Sequence, residues 1–270
     1  MTSPTPSPGK LDQRNFMIQS TYTDQSDTRF RAQVIPASRG TRYDSARLHR
    51  LIAASRIVRS LSIGIMARLE LAFLAGHKET DVLAAIKSAR SGRESLLSGN
   101  EAFTLFSLAR AQRGLGSEMA EVGVYQGCSA KIISTASDAA PLHLFDTFAG
   151  LPTPDTDEHL RKGHYAASLA SVKSFLVDRK NINFYPGLFP NTAQPIADRL
   201  FSFVHLDVDL KSSTLGSLEF FYPRMMPGGI ILTHDYSYLN GVRAAFTEFL
   251  ATRRERAIEL PTSQAILIKL

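Results

Sequence analysis

The sequence predicts an α/β fold: a mostly parallel, seven-stranded sheet with helices on both faces, preceded by an N-terminal helical segment. Three observations predict it. After Gly114, short apolar stretches alternate with helical stretches five times, the texture of a parallel sheet covered on both sides. The last two apolar stretches, near residues 257–260 and 265–268, have no helix between them, which makes them a hairpin at one edge. Ahead of Gly114, apolar residues recur at three-four spacing, the period of helices packed by one face.

Taken in order, residues 1–43 are rich in Ser, Thr, Pro, Asp and Arg and read as a mobile basic tail. Residues 44–97 form the helical segment, assigned to a lid, to oligomerisation or to substrate binding. Its long helix starts at the capping residue Asp44 and ends at Gly76. The stripe on it, Leu48, Leu51, Ile52, Ser55, Val58, Ser62, Ile65, Met66, Leu69 and Phe73, is a packing face for the catalytic domain or for a second subunit. A shorter helix spans 81–89, closed by Gly92. Residues 98–270 form the main domain. Ser98 with Glu101 makes a capping box for a helix ending near Gly114. Strands are expected at 119–124, 142–145, 182–185, 203–206 and 230–233, with helices at 129–137, 166–179, 190–198, 213–226 and 242–251.

Composition narrows the class. The chain has 270 residues, 44% of them apolar, enough for one substantial core. No run of 18 apolar residues predicts a membrane span, and no signal-peptide pattern follows the start, so the expected compartment is the cytoplasm. The lone Cys128 leaves no intrachain disulfide and no cysteine-rich zinc site, and it reads as a small buried helix residue rather than a nucleophile. The net charge of +6 is concentrated between Arg29 and Arg68, where nine Arg face one acid, Asp44. That stretch reads as a solvated helix face or as a docking surface for an acidic substrate or anionic partner. With little aromatic interleaving, it argues against nucleic acid.

The residues with chemical potential cluster where strands end. The first strand runs into Glu121-Val-Gly123-Val-Tyr125-Gln-Gly127-Cys-Ser129, a glycine turn that lets backbone approach a ligand, ahead of a helix N-terminus. Tyr125 stands where a dinucleotide fingerprint needs glycine, so a nucleoside with a small carboxylate fits better than a pyrophosphate. Asp146, ending the second strand, is placed to accept both ribose hydroxyls, or alternatively to cap the next turn. The fourth strand ends in His205-Leu-Asp207-Val-Asp209 and the fifth in Thr233-His234-Asp235. Adjacent strand ends lie ~5 Å apart, so Asp207 and Asp235 converge. Two carboxylates suit Mg²⁺, with His234 as third ligand, general base or outer hydrogen bonder. The plain alternative is that these acids only hold loop ends and a cofactor's amino group. His205, inside a strand, reads as a satisfied core histidine. The long connection 147–164, with Asp155, Asp157, Glu158, His159 and His164, has the length of a lid or binding loop.

Four ordered blocks carry a resemblance: EVGVYQGCSAK, FDTFAGLPTPD, FVHLDVDLKSSTLGSLEFFYPRMMPGGIILTHDY and NGVRAAFTEF. Together they resemble the macrocin O-methyltransferase (TylF/MycF) family over about residues 98–250. The resemblance implies the Rossmann-like class I methyltransferase fold, S-adenosylmethionine as cofactor and Mg²⁺; the acceptor expected with it is a hydroxyl of a small polar natural product, glycosylated or not. It implies cofactor contacts at Glu121, Gly123, Tyr125, Gly127, Ser129, Asp146, Thr147, Gly187 and Asp207. Metal ligands and catalytic groups fall at Asp207, His234 and Asp235. Characterised members carry two successive acids where this chain has His234-Asp235, and a histidine favours softer metals than Mg²⁺. A metal-free site with His234 as base is the other reading. Beside the enzyme reading stand a hydroxylase or other oxidoreductase on the same fold, and a non-catalytic binding or scaffold subunit. A homodimer is expected from the apolar stripe, and no membrane or nucleic-acid partner.

Overall fold

A computed structural model describes residues 56–154 and 160–270, with side chains from residue 61 onward. The expected basic tail, the Asp44 cap, the stripe from Leu48 to Val58 and the loop residues Asp155, Asp157, Glu158 and His159 lie outside the described residues or side chains. Three helices lead: α1 (Arg56–Leu74), α2 (Thr80–Ala89) and α3 (Gly99–Gln112). There follow β1 (Glu118–Val122), α4 (Cys128–Ser137), β2 (Leu142–Asp146), α5 (Leu169–Phe175), β3 (Ile182–Pro186), β4 (Phe201–Leu206) and α6 (Lys211–Phe221). The chain ends with β5 (Met225–Thr233), α7 (Asn240–Leu250), β6 (Ile258–Glu259) and β7 (Ala265–Ile268). Among the described residues, no helix is long and apolar enough to cross a membrane.

The seven strands form one sheet in the order β3-β2-β1-β4-β5-β7-β6, parallel except for β7, which is antiparallel to both neighbours. Period-two alternation builds both faces. Met119, Leu142, Leu144 and Phe203 point into one apolar cluster with α1–α4 residues such as Leu71, Ile86, Leu105 and Ile132. Ala120, Val122, Phe145, Val204 and Leu206 point into the other, with Phe221 and Phe246. The helices of 56–97 thus share a core with the sheet, and every described residue falls within one compact unit, Arg47–Leu270.

The expected capping box is present: Ser98 Oγ accepts from Glu101 N at 3.2 Å, and Glu101 Oε2 accepts from Ser98 N at 2.8 Å. Three expectations change. The helix over 190–198 is replaced by a single 3-10 turn, Gln194–Ile196, because Pro195 lacks the N–H that a longer helix needs. The helix over 213–226 stops at Phe221; Pro223 lies in a 3-10 turn and β5 begins at Met225. Of the two partners expected for the α1 stripe, only the main domain is removed: Ile65, Met66, Leu69 and Phe73 are exposed, while Ala67, Leu71 and Leu74 face the core.

The sheet order reverses between β1 and β4, and in such folds a ligand crevice opens at the carboxyl ends there. Register makes those ends level. Val122 pairs with Phe145 and Leu206, and Leu206 with Thr233. The ladder continues one residue further, with Gly123 N donating to Phe145 O, Asp207 N to Val122 O and His234 N to Leu206 O, each at 2.9 Å. Gly123, Asp146, Asp207 and His234 therefore form one row along the crevice.

Candidate active site

The row opens into a cavity that is partly open to solvent and lined by both the glycine turn and the acidic strand ends. One wall is the glycine turn. Gly123, at φ +88°, is required by its neighbour more than by a ligand: a Cβ there would lie 1.8 Å from the carbonyl oxygen of Asp207. This close approach of β1 to β4 brings the turn against the acidic strand end. Tyr125, Ser129, Thr147 and Gly187 also line the cavity.

Asp146 lines it too, but both its oxygens are engaged by backbone. Oδ2 accepts from Val124 N at 2.7 Å and Tyr125 N at 2.9 Å, and Oδ1 accepts from Phe148 N at 2.7 Å. It both shapes the glycine turn and faces the cavity, so the turn-holding alternative is realised, with lone pairs left for a ligand hydroxyl. Thr147 Oγ1 is engaged by its own turn, donating to Gly150 O at 2.7 Å. Two expected contacts differ. Gly127 starts α4 but does not line the cavity. Glu121 lies beneath the turn, fully buried, with Oε1 2.8 Å from His205 Nδ1, its register partner on β4. Burial pushes the Glu121 carboxyl up, and His205 opposes that shift in part. It supports the turn from below. Cys128 is buried, and burial pushes its thiol up to about 11, as befits an inert packing residue.

The described ends of the connection after β2 line the cavity through Thr147, Gly150, Leu151, Pro152 and Tyr165, and they are zipped together. Leu151 N donates to His164 O at 2.8 Å and Gly163 N to Leu151 O at 2.9 Å. Gly150 permits the closure, since a Cβ there would meet the Gly163 and His164 carbonyl oxygens at 2.5 Å. Tyr165, just past the zipped ends, meets Tyr125 edge-on, ring centres 5.9 Å apart. Across the turn, Tyr125 OH donates to Glu94 Oε2 at 2.7 Å, stitching the segment before α3 to the glycine wall.

The opposite wall is acidic. His234 is buried, with Nδ1 3.1 Å from Asp235 Oδ2 and 3.4 Å from Asp207 Oδ1, and Nε2 3.5 Å from Glu101 Oε2. Neither ring nitrogen has the alignment of a hydrogen bond. Burial works against the charged imidazolium, but Asp235 and Asp207 outweigh it and hold the His234 pKa well above its ordinary value. Burial would raise Asp207; His234 more than offsets it, and the pKa is lowered. Asp209 is pushed well up by burial and by the neighbouring Asp235 and Asp207. Glu101 is held well below the carboxylate range: His234, Ser263 and Ser98 N–H together overcome its burial. Asp209 and Asp235 adopt left-handed backbone at φ +57° and +55°, as do Tyr125 and Tyr165, so strain gathers around this cavity.

Asp207, His234 and Asp235 each offer one ligand atom, all within 4.8 Å of one another. Together with the buried, unpartnered His234 Nδ1, this donor set fits a divalent ion. Two participants went unselected in the sequence: Asp209, visible as the second acid of HLDVD, and Glu101, legible only as a helix cap.

Comparisons with known proteins show the family and the fold. A family model described as macrocin-O-methyltransferase (TylF) matches residues 108–265. An 8-demethyl-8-(2,3-dimethoxy-alpha-L-rhamnosyl)-tetracenomycin-C 4'-O-methyltransferase from Streptomyces olivaceus is 28% identical over 143 residues, 46% of this chain and 54% of that protein. The matched region thus spans about half of that relative. The solved O-methyltransferase NovP superposes with a TM-score of 0.59 at 19% identity, over 78% of this chain and 98% of its own. An O-methyltransferase from Bacillus cereus in complex with SAH gives 0.51 at 16% identity, over 77% and 100%. At such identities these two likenesses show the fold.

Proposed function

Because the chain belongs to the macrocin-O-methyltransferase family, a family of S-adenosylmethionine-dependent O-methyltransferases, we propose that it methylates a hydroxyl of a small, polar, glycosylated natural product, assisted by a divalent metal. One observation carries the reading: a single cavity joins a wall suited to a nucleoside with a wall of strand-end carboxylates. The cofactor supplies an electrophilic methyl group, and the metal supplies a positive charge that acidifies and orients a bound hydroxyl. The residues do the rest. The glycine turn, Ser129 at the start of α4 and Asp146 hold the nucleoside and its carboxylate end. Asp207, His234 and Asp235 would hold the metal, and the Asp207 and Asp235 carboxylates, which line the same cavity, would take the proton that the acceptor hydroxyl gives up. Leu151, Pro152 and Tyr165 would wall this side of the cavity and restrict the water that reaches the acceptor. The tetracenomycin relative, by its name, methylates a sugar position, which supports the glycosylated acceptor class.

Calorimetric titration tests the cofactor. Micromolar binding of S-adenosylmethionine, with no heat from NAD, is expected, and absence of binding with and without Mg²⁺ would end this reading. Mn²⁺ titration tests His234. In the metal-free protein, Asp235 and Asp207 keep the imidazole charged, so metal entry at Nδ1 releases a proton. Affinity should therefore rise with pH, and the measured heat should change with the buffer's ionisation heat. Heat independent of buffer would remove His234 from the ligand set. The sign for stability is opposite: the imidazolium's contribution is complete below the ordinary histidine range and is lost as pH rises through its raised folded value.

A homodimer through α1 is proposed on a separate observation. Leu61, Ile65, Leu69 and Phe73 follow one another at four-residue spacing and are 62%, 57%, 55% and 80% exposed, an apolar ridge that water disfavours. Sedimentation at micromolar concentration should give a dimer that Ile65→Glu/Phe73→Glu converts to monomer. A monomeric parent protein would refute it.

A further inference from the structure

Glu101 does more than an N-cap requires. A capping-box glutamate uses one carboxylate oxygen on one backbone N–H and ordinarily sits at the surface. Here the residue is 6% exposed, and burying a charge is costly unless its oxygens are satisfied. They are satisfied from a distant part of the chain: Oε1 accepts from Ser263 Oγ at 2.6 Å and Ser263 N at 3.3 Å. Oε2, while capping Ser98 N, faces His234 Nε2 at 3.5 Å. The opposite ring nitrogen, Nδ1, faces Asp207 and Asp235. The imidazole is therefore bracketed, one carboxylate behind it and two in front.

We propose that Glu101 is a positioning residue for the metal site: its carboxylate, clamped by Ser98 and Ser263, sits 3.5 Å behind Nε2 and orients the His234 ring so that Nδ1 is presented between Asp207 and Asp235. This rests on the metal reading above. A carboxylate behind a histidine ligand sets its ring angle and, by its charge, strengthens its donation to the ion. The arrangement also accounts for a histidine among acids. A neutral ring alone would weaken the site's pull on a cation, and the negative charge behind it restores that pull. Histidine paired in this way suits Co²⁺, Mn²⁺ or Zn²⁺ better than Mg²⁺.

The test is Co²⁺ titration of the metal-free full-length protein, followed by its visible absorption, with Glu101→Gln compared with the parent. Glutamine still serves in a capping box, so the helix start is preserved while the carboxylate is removed. Co²⁺ binding weaker by ~10–100-fold, with a shifted spectrum, is expected. Should Glu101→Gln fold poorly, Ser263→Ala loosens the same clamp, and a several-fold loss of Co²⁺ affinity is expected instead. The decisive comparison is made in a His234→Asp background. There, Glu101→Gln should no longer weaken metal binding, because no ring remains to be held. An equal loss in both backgrounds makes Glu101 merely structural and overturns the proposal, as does unchanged affinity in the single variants. If the parent protein binds no Co²⁺, the metal reading itself falls and takes this inference with it.

Discussion

Asp235→Asn is expected to lower turnover by ~10²-fold or more while leaving S-adenosylmethionine affinity within a few-fold of the parent. The substitution is chosen for its geometry. Asp235 sits at φ +55°, a conformation asparagine tolerates, so the backbone at the end of β5 should hold. What changes is charge. Asp235 faces His234 Nδ1 at 3.1 Å and, with Asp207, keeps the ring charged. It also helps to push the Asp209 carboxyl up. On the proposed mechanism, removing that one charge weakens the pull on a metal and removes a group that would take the acceptor's proton; it also lets Asp209 ionise more readily. None of these changes reaches Tyr125, Ser129 or Asp146 on the glycine-turn wall of the cavity. The split between turnover and cofactor affinity is the informative quantity. Near-normal turnover would show that the acidic wall takes no part in the chemistry. An equal loss of cofactor affinity would move Asp235 into the cofactor's contacts.

Most of this site was legible because a parallel sheet converts sequence into position. Strand ends in such a sheet share one edge, so residues that follow the apolar runs (Gly123, Asp146, Asp207, His234) were bound to converge once the alternation was read. Periodicity found the strands because Met119, Leu142 and Phe203 have to face one layer and Val122, Phe145 and Val204 the other. It failed at 190–198, where Pro195 denied the helix that the apolar spacing suggested. Roles set by tertiary contact were hidden. Glu101 satisfies a local rule, and nothing in its neighbourhood announces Ser263 or His234. Glu121 and His205 each looked functional or inert on its own. Only the β1–β4 register makes them a buried pair. The exposed α1 ridge shows the limit of the argument from amphipathicity, because an apolar stripe tells that a face is covered without telling by what.

Gly123→Ala is expected to destabilise the protein by about 3 kcal/mol or more, a fall in Tm on the order of 10 °C, and to lower cofactor affinity and turnover together. The added methyl would lie 1.8 Å from the Asp207 carbonyl oxygen and 2.7 Å from its carbonyl carbon. Both atoms belong to backbone at the end of β4, so no side chain can rotate away. The residue also holds φ +88°, where an L side chain adds strain of its own. Relief requires β1 and β4 to part at their carboxyl ends, which would break the Asp207 N to Val122 O bond of 2.9 Å and shift Asp207 relative to the glycine turn. The two walls of the cavity meet at this contact, which is why binding and chemistry should fail together here but separate in Asp235→Asn. Gly216→Ala is the control. It lies within α6, where the new methyl would meet only Pro190 ring carbons at 3.6 and 3.9 Å, and alanine favours helix by up to ~1 kcal/mol. Equal melting temperatures for Gly123→Ala and the parent would mean that the strand ends yield without cost, and the contact would then not be what sets the site's geometry.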